Sequence, residues 1–124
     1  IAVLGVTFKP NTDDMRDAPS LDIIAGLQNA GAHIRAYDPE GMRVAKSMLP
    51  GVEWCSDAYD AIEGADAVSI VTEWNQFRAL DLGRVKSLLK SPVMIDLRNI
   101  YNPTDMAAAG FTYTSIGRTG IANS

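Results

Sequence analysis

The chain has 124 residues, of which 47% are hydrophobic, 21% charged and 7% aromatic, with a formal net charge of −4 and a pI near 4.8. This composition is typical of one globular domain: it is too hydrophobic for a disordered chain, and no apolar run reaches the ~18 residues of a membrane span. The acidic balance argues against nucleic-acid binding, and a single cysteine and a single histidine argue against both a disulfide framework and a structural zinc site.

Apolar runs alternate with amphipathic stretches along the whole chain. The first run, at residues 1–6, is continuously apolar, which predicts a strand covered by helices on both faces. It also stands at the very start without a methionine, so we expect a piece of a longer polypeptide. The predicted elements are a strand at 1–6, a helix from Ser20 to Gly31, a strand at 32–37, a helix at 40–49, a strand at 52–55, a helix at 56–63 with Ser56 as N-cap, a strand at 67–72, a helix at 81–89, a strand at 93–97, a helix at 103–109 and a strand at 111–115.

Strands that alternate with helices, joined by connections too long for hairpins, predict a parallel sheet. The predicted fold class is α/β: a Rossmann-like, doubly wound, mostly parallel sheet of about six strands with helices on both faces. Its centre is predicted to consist of the strands at 1–6, 67–72 and 93–97. We expect the domain to occupy residues 1–118 and residues 119–124 to form a flexible tail.

The loop after the first strand is where such a sheet is expected to bind a ligand, at the carboxyl ends of its strands. A dinucleotide site would have a G-x-G-x-x-G run there, but this turn contains only Gly5. A P-loop would place a glycine immediately before the lysine, and Phe8 occupies that position instead. The sequence therefore lacks both glycine-based phosphate cradles.

Three cations are predicted to meet at this edge of the sheet. Lys9 and Arg16 lie in the first loop, and Arg98 follows the predicted strand at 93–97. Cationic side chains bind phosphates without glycine-rich backbone, so together they could form an anion site. The alternative is that each is a solvated surface charge paired with a nearby carboxylate, such as Asp96 for Arg98.

Other candidate residues have plainer interpretations. Asp38 ends the second strand, where it either binds a ribose or closes an Asp-Pro turn. Trp54 and Trp74 are expected at the edges of the core, and Cys55 as a buried thiol without a base. The first loop also holds an acidic cluster that could bind Mg²⁺, for which solvation or pairing with Arg16 is the favoured alternative. This cluster consists of Asp13, Asp14 and Asp17.

Residues 5–20, which read GVTFKPNTDDMRDAPS, resemble the opening of the C-terminal, UDP-binding domain of the UDP-glucose 6-dehydrogenases, within the wider UDP-glucose/GDP-mannose dehydrogenase family. Further matching motifs follow in the family's order and spacing, and the resemblance extends as far as Arg118. The run at 72–77, TEWNQF, favours the UDP-glucose branch. The other matching motifs are Tyr37-Asp38-Pro39 and Asp96-Leu97-Arg98-Asn99.

The resemblance implies an enzyme of three parts: an N-terminal domain that binds NAD, a central domain that forms a homodimer, and this domain, which closes over UDP-glucose. Such an enzyme oxidises the C6 alcohol of UDP-glucose to the carboxylate of UDP-glucuronate with two NAD. Its catalytic cysteine, lysine and aspartate lie upstream, so no catalytic residue is expected here, and Cys55 does not match that cysteine. A cytoplasmic location, without a nucleic-acid or membrane partner, is also implied.

The resemblance also implies roles for single residues. Lys9 matches a family lysine that contacts the UDP-sugar, and Phe8 precedes it in the same binding segment. Arg98 matches an arginine that contacts the nucleotide sugar. Arg16 matches an arginine on the NAD side of the cleft, which makes it the expected cofactor-binding residue of this chain.

Two alternatives to the UDP-glucose enzyme stay open at the level of sequence. The first is a sister dehydrogenase that acts on GDP-mannose or a UDP-N-acetylhexosamine. The second is a free-standing Rossmann-like binding module, such as a receiver domain. A receiver would need acidic residues directly after the first strand, where this chain has Val6-Thr7, and a phospho-accepting aspartate after the third, where it has Ser56-Asp57.

Overall fold

The structure is a computed structural model that describes residues 1–7, 15 and 18–115, and its framework is an open six-stranded sheet. The strands are β1 (Ala2–Leu4), β2 (Arg35–Tyr37), β3 (Glu53–Trp54), β4 (Val68–Ile70), β5 (Val93–Asp96) and β6 (Thr112–Ser115). The helices are α1 (Pro19–Asn29), α2 (Met42–Ala45), α3 (Ala58–Ile62), α4 (Asn75–Arg78), α5 (Leu82–Leu88) and α6 (Pro103–Ala108).

The strand order is β3-β2-β1-β4-β5-β6, and every pair of neighbours is parallel. β1 lies between β2 and β4, with Ala2 in register with both Arg35 and Val68. The predicted doubly wound parallel sheet is confirmed, and so is its centre, because β1 and β4 form the middle pair and β5 lies next to them.

Two hydrophobic clusters cover the two faces of the sheet. The pleat of β1 divides its side chains between them, with Leu4 in one cluster and Val3 in the other. The Leu4 cluster packs on α3, α5 and α6, whereas the Val3 cluster packs on α1 and α2. Each fully buried aliphatic side chain stabilises the fold by roughly 1.5–3 kcal/mol, so the helices on both faces hold the sheet in place.

Several elements differ from the prediction. The N-cap of α3 is Asp57 rather than Ser56, because the backbone of Asp57 is extended and its carboxylate accepts the N–H of Asp60 at 2.7 Å. The helix predicted at 40–49 is confined to α2, since the residues before it form a turn closed by Asp38. The short helix α4 was not predicted. No helix in the described part of the chain has the length and apolarity of a bilayer span.

Candidate functional site

The carboxyl ends of β1 and β4 lie side by side and are joined by two threonines. The hydroxyl of Thr72 donates a hydrogen bond of 2.8 Å to the carbonyl oxygen of Thr7, and both residues are fully buried. Gly5 has φ of +89°, and a Cβ there would lie 2.5 Å from the Cβ of Thr72 and 2.7 Å from its backbone nitrogen. The close approach of β4 therefore requires the one glycine of this turn.

Asp38 lies fully buried directly after β2, where one of its carboxylate oxygens closes a turn. Oδ1 accepts the backbone N–H groups of Glu40 at 2.9 Å and of Gly41 at 2.8 Å. An aspartate that bonds the N–H groups two and three residues later is the usual stabiliser of such a turn. The Asp-Pro turn predicted at this position is therefore present.

The other oxygen of Asp38 joins β2 to the ends of β1 and β4. Oδ2 accepts the backbone N–H groups of Val6 at 2.8 Å and of Thr7 at 3.1 Å, and the Thr7 hydroxyl at 3.2 Å. It also accepts the indole N–H of Trp74 at 3.2 Å. Both oxygens thus accept hydrogen bonds from within the chain, which compensates the buried charge and favours the turn interpretation over ribose binding.

A second buried aspartate, Asp96, organises the loop after β5. Oδ1 accepts the backbone N–H of Arg98 at 3.0 Å, and Oδ2 accepts the N–H groups of Ile100 at 2.8 Å and of Tyr101 at 3.1 Å. The hydroxyl of Tyr113, on β6, also donates to Oδ2, at 2.6 Å. The carboxylate therefore fixes the path of the loop on which Arg98 lies.

Arg98 is held at the carboxyl edge of the sheet between β4 and β5. Its Nε donates to the carbonyl oxygen of Val71 at 2.9 Å and lies 4.0 Å from a carboxylate oxygen of Glu73. The next residue, Asn99, has φ of +56°, a left-handed conformation that turns the chain at this point. The side chain of Arg98 is 29% exposed, so a positioned guanidinium faces the edge predicted to bind the ligand.

Three of the predicted site residues, Phe8, Lys9 and Arg16, lie outside the described residues, as do Asp13, Asp14 and Asp17. The residues that flank them are well packed. Thr7, directly before Phe8, is fully buried, and Met15, directly before Arg16, is 3% exposed in the same cluster as Val3. Thr7 and Arg98 bond consecutive residues at the end of β4, Thr72 and Val71, so both belong to one edge of the sheet.

Sequence reasoning missed the bond between Trp74 and Asp38. Trp74 was predicted at the edge of the core, and it does lie there, 7% exposed in the Leu4 cluster. The missed signal was chemical: a buried indole N–H requires an acceptor, and Asp38 is a buried acceptor at the end of a nearby strand. Trp54, by contrast, is a partly buried side chain against the Val3 cluster.

Cys55 shows no sign of an activated nucleophile. It is 5% exposed, and its thiol lies 3.7 Å from the carbonyl oxygen of Glu53. Burial raises the pKa of the Cys55 thiol, which outweighs the opposing influence of Arg35. Since the thiolate is the reactive form, this environment fits the buried thiol predicted from the sequence.

The family model described as "UDP-glucose/GDP-mannose dehydrogenase family, UDP binding domain" matches residues 2–103. A UDP-glucose 6-dehydrogenase of Rhizobium meliloti is 55% identical over 118 residues, which cover 95% of this chain and 27% of that protein. The UDP-glucose 6-dehydrogenase TuaD of Bacillus subtilis is 49% identical over 122 residues, which cover 98% of this chain and 26% of that protein. The chain thus spans about a quarter of the length of these relatives.

A similar fold occurs in a solved structure. The NDP-N-acetyl-D-galactosaminuronic acid dehydrogenase of Methanosarcina mazei superimposes with a TM-score of 0.84 at 29% identity, over 99% of this chain and 26% of that one. About a quarter of that dehydrogenase therefore shares the fold of this chain. The match of the family model, the identity to the two relatives and the shared fold together establish that this chain belongs to the UDP-glucose/GDP-mannose dehydrogenase family, as its UDP-binding domain.

Proposed function

We propose that this chain is the UDP-sugar-binding domain of a UDP-glucose 6-dehydrogenase, an oxidoreductase that converts UDP-glucose to UDP-glucuronate with two NAD. The observation that carries the proposal is the 55% identity to a UDP-glucose 6-dehydrogenase across 95% of the chain. The position of Arg98 at the carboxyl edge of a doubly wound sheet supports it, because ligands of such sheets bind at that edge.

In this proposal, Phe8, Lys9 and Arg98 bind the UDP-sugar. A UDP-sugar carries a diphosphate, for which a planar guanidinium and an ammonium are the usual side-chain partners. Arg98 is held through its backbone by Asp96 and through Nε by Val71, so its side chain is preorganised for an anion at this edge. Preorganised donors lose less entropy when they bind, which increases affinity.

The described residues do not fit the pyrophosphate of NAD at the first turn. The space beside Gly5 is filled by Thr72, and the carboxylate of Asp38 accepts hydrogen bonds from the chain itself. We therefore assign the binding of NAD mainly to an N-terminal domain of a longer protein, with Arg16 as the contribution of this chain. In the complete enzyme, Arg16→Ala should raise the KM for NAD more than that for UDP-glucose.

The proposal extends to the organisation of the whole protein. The domain is assigned to residues 1–118, and the tail predicted at 119–124 lies outside the described residues. The domain works with the other domains of the same polypeptide. These include a central domain that forms a homodimer. We further propose that the enzyme is cytoplasmic and that the catalytic residues lie in its other domains.

The substrate can be tested on the complete enzyme by measuring kcat/KM for UDP-glucose, GDP-mannose and UDP-N-acetylhexosamines. We expect the highest value for UDP-glucose. A higher value for a UDP-N-acetylhexosamine would instead favour a sister enzyme. The similar structure from Methanosarcina mazei is a dehydrogenase of an N-acetylated sugar nucleotide.

The chain alone should not oxidise UDP-glucose, because it lacks the dinucleotide fingerprint and its cysteine is a buried thiol of raised pKa. Incubation of the isolated chain with UDP-glucose and NAD should give no increase in nicotinamide absorbance over a blank without protein. Turnover above that blank would show that catalytic residues do lie within these 124 residues.

A further inference from the structure

We propose that Asp38 and Trp74 are positioning residues for the segment that carries Phe8 and Lys9, and that they act on UDP-glucose binding through Thr7. This inference rests on the proposed function, in which that segment binds the UDP-sugar. It assigns to two residues outside the binding set the task of holding Thr7, the last described residue before that segment, in place.

Thr7 is held through several of its polar groups. Its backbone N–H and its hydroxyl both donate to Oδ2 of Asp38, at 3.1 and 3.2 Å, and its carbonyl oxygen accepts the hydroxyl of Thr72 at 2.8 Å. Its methyl group also packs tightly, because a Cβ added at Gly41 would lie 2.3 Å from it. Since Thr7 is covalently linked to Phe8, the binding segment starts from a fixed point.

The indole of Trp74 completes this arrangement from the side of β4. Its N–H donates to the same Oδ2 that holds Thr7, at 3.2 Å, while its ring is buried in the Leu4 cluster. Trp74 thereby locates the carboxylate relative to β4, and the carboxylate locates Thr7. A rigid support of this kind holds a binding group in its productive geometry without touching the ligand.

The alternative is that the hydrogen bond between Trp74 and Asp38 only stabilises the fold. Removing the indole N–H of Trp74 distinguishes the two explanations. Trp74→Phe removes the hydrogen bond to Asp38 but keeps an aromatic ring in the core. If the bond positions the binding segment, its loss should weaken the binding of UDP-glucose and leave the binding of NAD unchanged. If it only stabilises the fold, both KM values should stay at wild type in the folded variant.

The experiment is steady-state kinetics on the complete enzyme with Trp74→Phe. We expect the KM for UDP-glucose to rise by about three- to tenfold, because part of the effect of losing one hydrogen bond to a charged group should reach the binding segment. The KM for NAD should stay within about twofold of wild type. Trp54→Phe is the matched control, because it removes an indole N–H from β3, at the outer edge of the sheet, and should change neither KM. A wild-type KM for UDP-glucose in folded Trp74→Phe enzyme would overturn the proposal.

Thr7→Val gives a second test if Trp74→Phe does not fold. It removes the hydroxyl that donates to Asp38 and keeps the size of the side chain and the backbone N–H. We expect a smaller increase in the KM for UDP-glucose, of about two- to fivefold, and an unchanged KM for NAD. Equal effects on the two KM values would contradict a positioning role.

A double-mutant cycle with Lys9→Ala then separates this inference from the proposed function on which it rests. If Trp74 acts through the binding segment, Trp74→Phe should have little further effect on the KM for UDP-glucose once Lys9 is alanine. Effects that multiply independently would overturn the positioning role while leaving Lys9 a ligand. A wild-type KM in Lys9→Ala alone would refute the role of Lys9 in the proposed function, and the inference with it.

Discussion

Two buried aspartates stand at equivalent places in the sheet, one strand in from either edge, and they do different work. Asp38, directly after β2, closes its own turn through Oδ1, and through Oδ2 it bonds groups that are 31 to 36 residues away in the sequence, at the ends of β1 and β4. Asp96, at the end of β5, bonds mainly the N–H groups of its own loop, two to five residues ahead. The Asp38 carboxylate therefore joins strand ends in addition to closing a turn, whereas the Asp96 carboxylate mainly shapes a loop.

The comparison indicates how this domain divides support from contact. We call Asp38 and the residues that bond its Oδ2, namely Val6, Thr7 and Trp74, the Asp38 corner. It holds Thr7, the residue before the proposed binding segment, and none of its described bonds involves a cation. The Asp96 corner consists of Asp96 and the residues that bond it, Arg98, Ile100, Tyr101 and Tyr113. It includes a cation, Arg98, which is itself a proposed ligand for the UDP-sugar. Damage at the first corner should reach the ligand indirectly, and damage at the second directly.

The largest expected effect is a loss of stability of the domain when Asp38 is replaced. Asp38→Asn keeps one acceptor oxygen and replaces the other by an amide NH₂ group. That group would face N–H and O–H donors whose hydrogen bonds the carboxylate oxygen accepts in the native chain. We expect the free energy of unfolding to fall by about 3–5 kcal/mol, and by about 2–3 kcal/mol for Asp96→Asn, which affects fewer donors. Urea denaturation followed by circular dichroism measures both values.

Asp105→Asn is the matched control for these two variants, because Asp105 is an exposed carboxylate on α6. It should lower the free energy of unfolding by less than about 1 kcal/mol, the contribution of an exposed carboxylate in the first turn of a helix. An equal or larger loss for Asp96→Asn than for Asp38→Asn would break the proposed difference between the two corners.

The next effect concerns Arg98 as a ligand. In the complete enzyme, Arg98→Ala should raise the KM for UDP-glucose by about one to two decades, because a charge-assisted hydrogen bond in a closed site contributes roughly 1.5–3 kcal/mol. Arg98→Lys should also be costly if the guanidinium binds as a fork, since an ammonium cannot form two parallel bonds. Steady-state kinetics with both ligands measures the change.

Arg78→Ala provides the comparison for Arg98, because Arg78 is an exposed arginine that bonds Asn75 within α4. It should leave both KM values near wild type, as exposed charges contribute about 0–1 kcal/mol. If Arg98→Ala behaves like Arg78→Ala, the guanidinium at the Asp96 corner is a surface charge and not a ligand.

The smallest effect is a pH dependence of the Asp96 corner. Burial, and then the negative charge of Asp96, raise the pKa of the Tyr101 hydroxyl, which donates to the carbonyl oxygen of Phe77. Above pH 10, near the ordinary tyrosine pKa, the unfolded chain loses this proton while the folded chain keeps it. The contribution of the Tyr101 hydroxyl to the free energy of unfolding is therefore fully present below pH 10 and decreases as the pH rises above 10.

Tyr101→Phe should remove this dependence. Between pH 9 and pH 10.5, the wild-type chain should lose about 1 kcal/mol more free energy of unfolding than the variant does. Urea denaturation at the two pH values measures the difference, and the other tyrosines cancel in it. Equal losses in both proteins would show that Tyr101 ionises with the same pKa in the folded and the unfolded chain.

The sheet could be predicted from the sequence because apolar runs and helical stripes are local signals. The continuous apolar run at 1–6 indicated a strand covered on both faces, and β1 is such a strand at the centre of the sheet. Element ends were less predictable, because they depend on single hydrogen bonds. Asp57 rather than Ser56 caps α3 because its carboxylate reaches the N–H of Asp60.

The candidate site was predictable only where one residue carries the signal. Arg98 was placed at the carboxyl edge from its position after an apolar strand, and it lies there. The bonds among Asp38, Thr7 and Trp74 were not predicted, because they join three strand ends that only the folded topology brings together. The roles assigned to Phe8, Lys9 and Arg16 stay predictions from the resemblance.

The central position of β1 has a consequence for how the chain folds as it is synthesised. Within this domain β1 precedes the other strands in the sequence, yet Ala2 pairs with Arg35 on one side and with Val68 on the other. The apolar β1 must therefore remain unpaired on one side until β4 has also been synthesised. Such long-range parallel pairing folds slowly and leaves a strand edge open to aggregation in the meantime. The nascent domain is thus most in need of chaperone protection before β4 emerges from the ribosome.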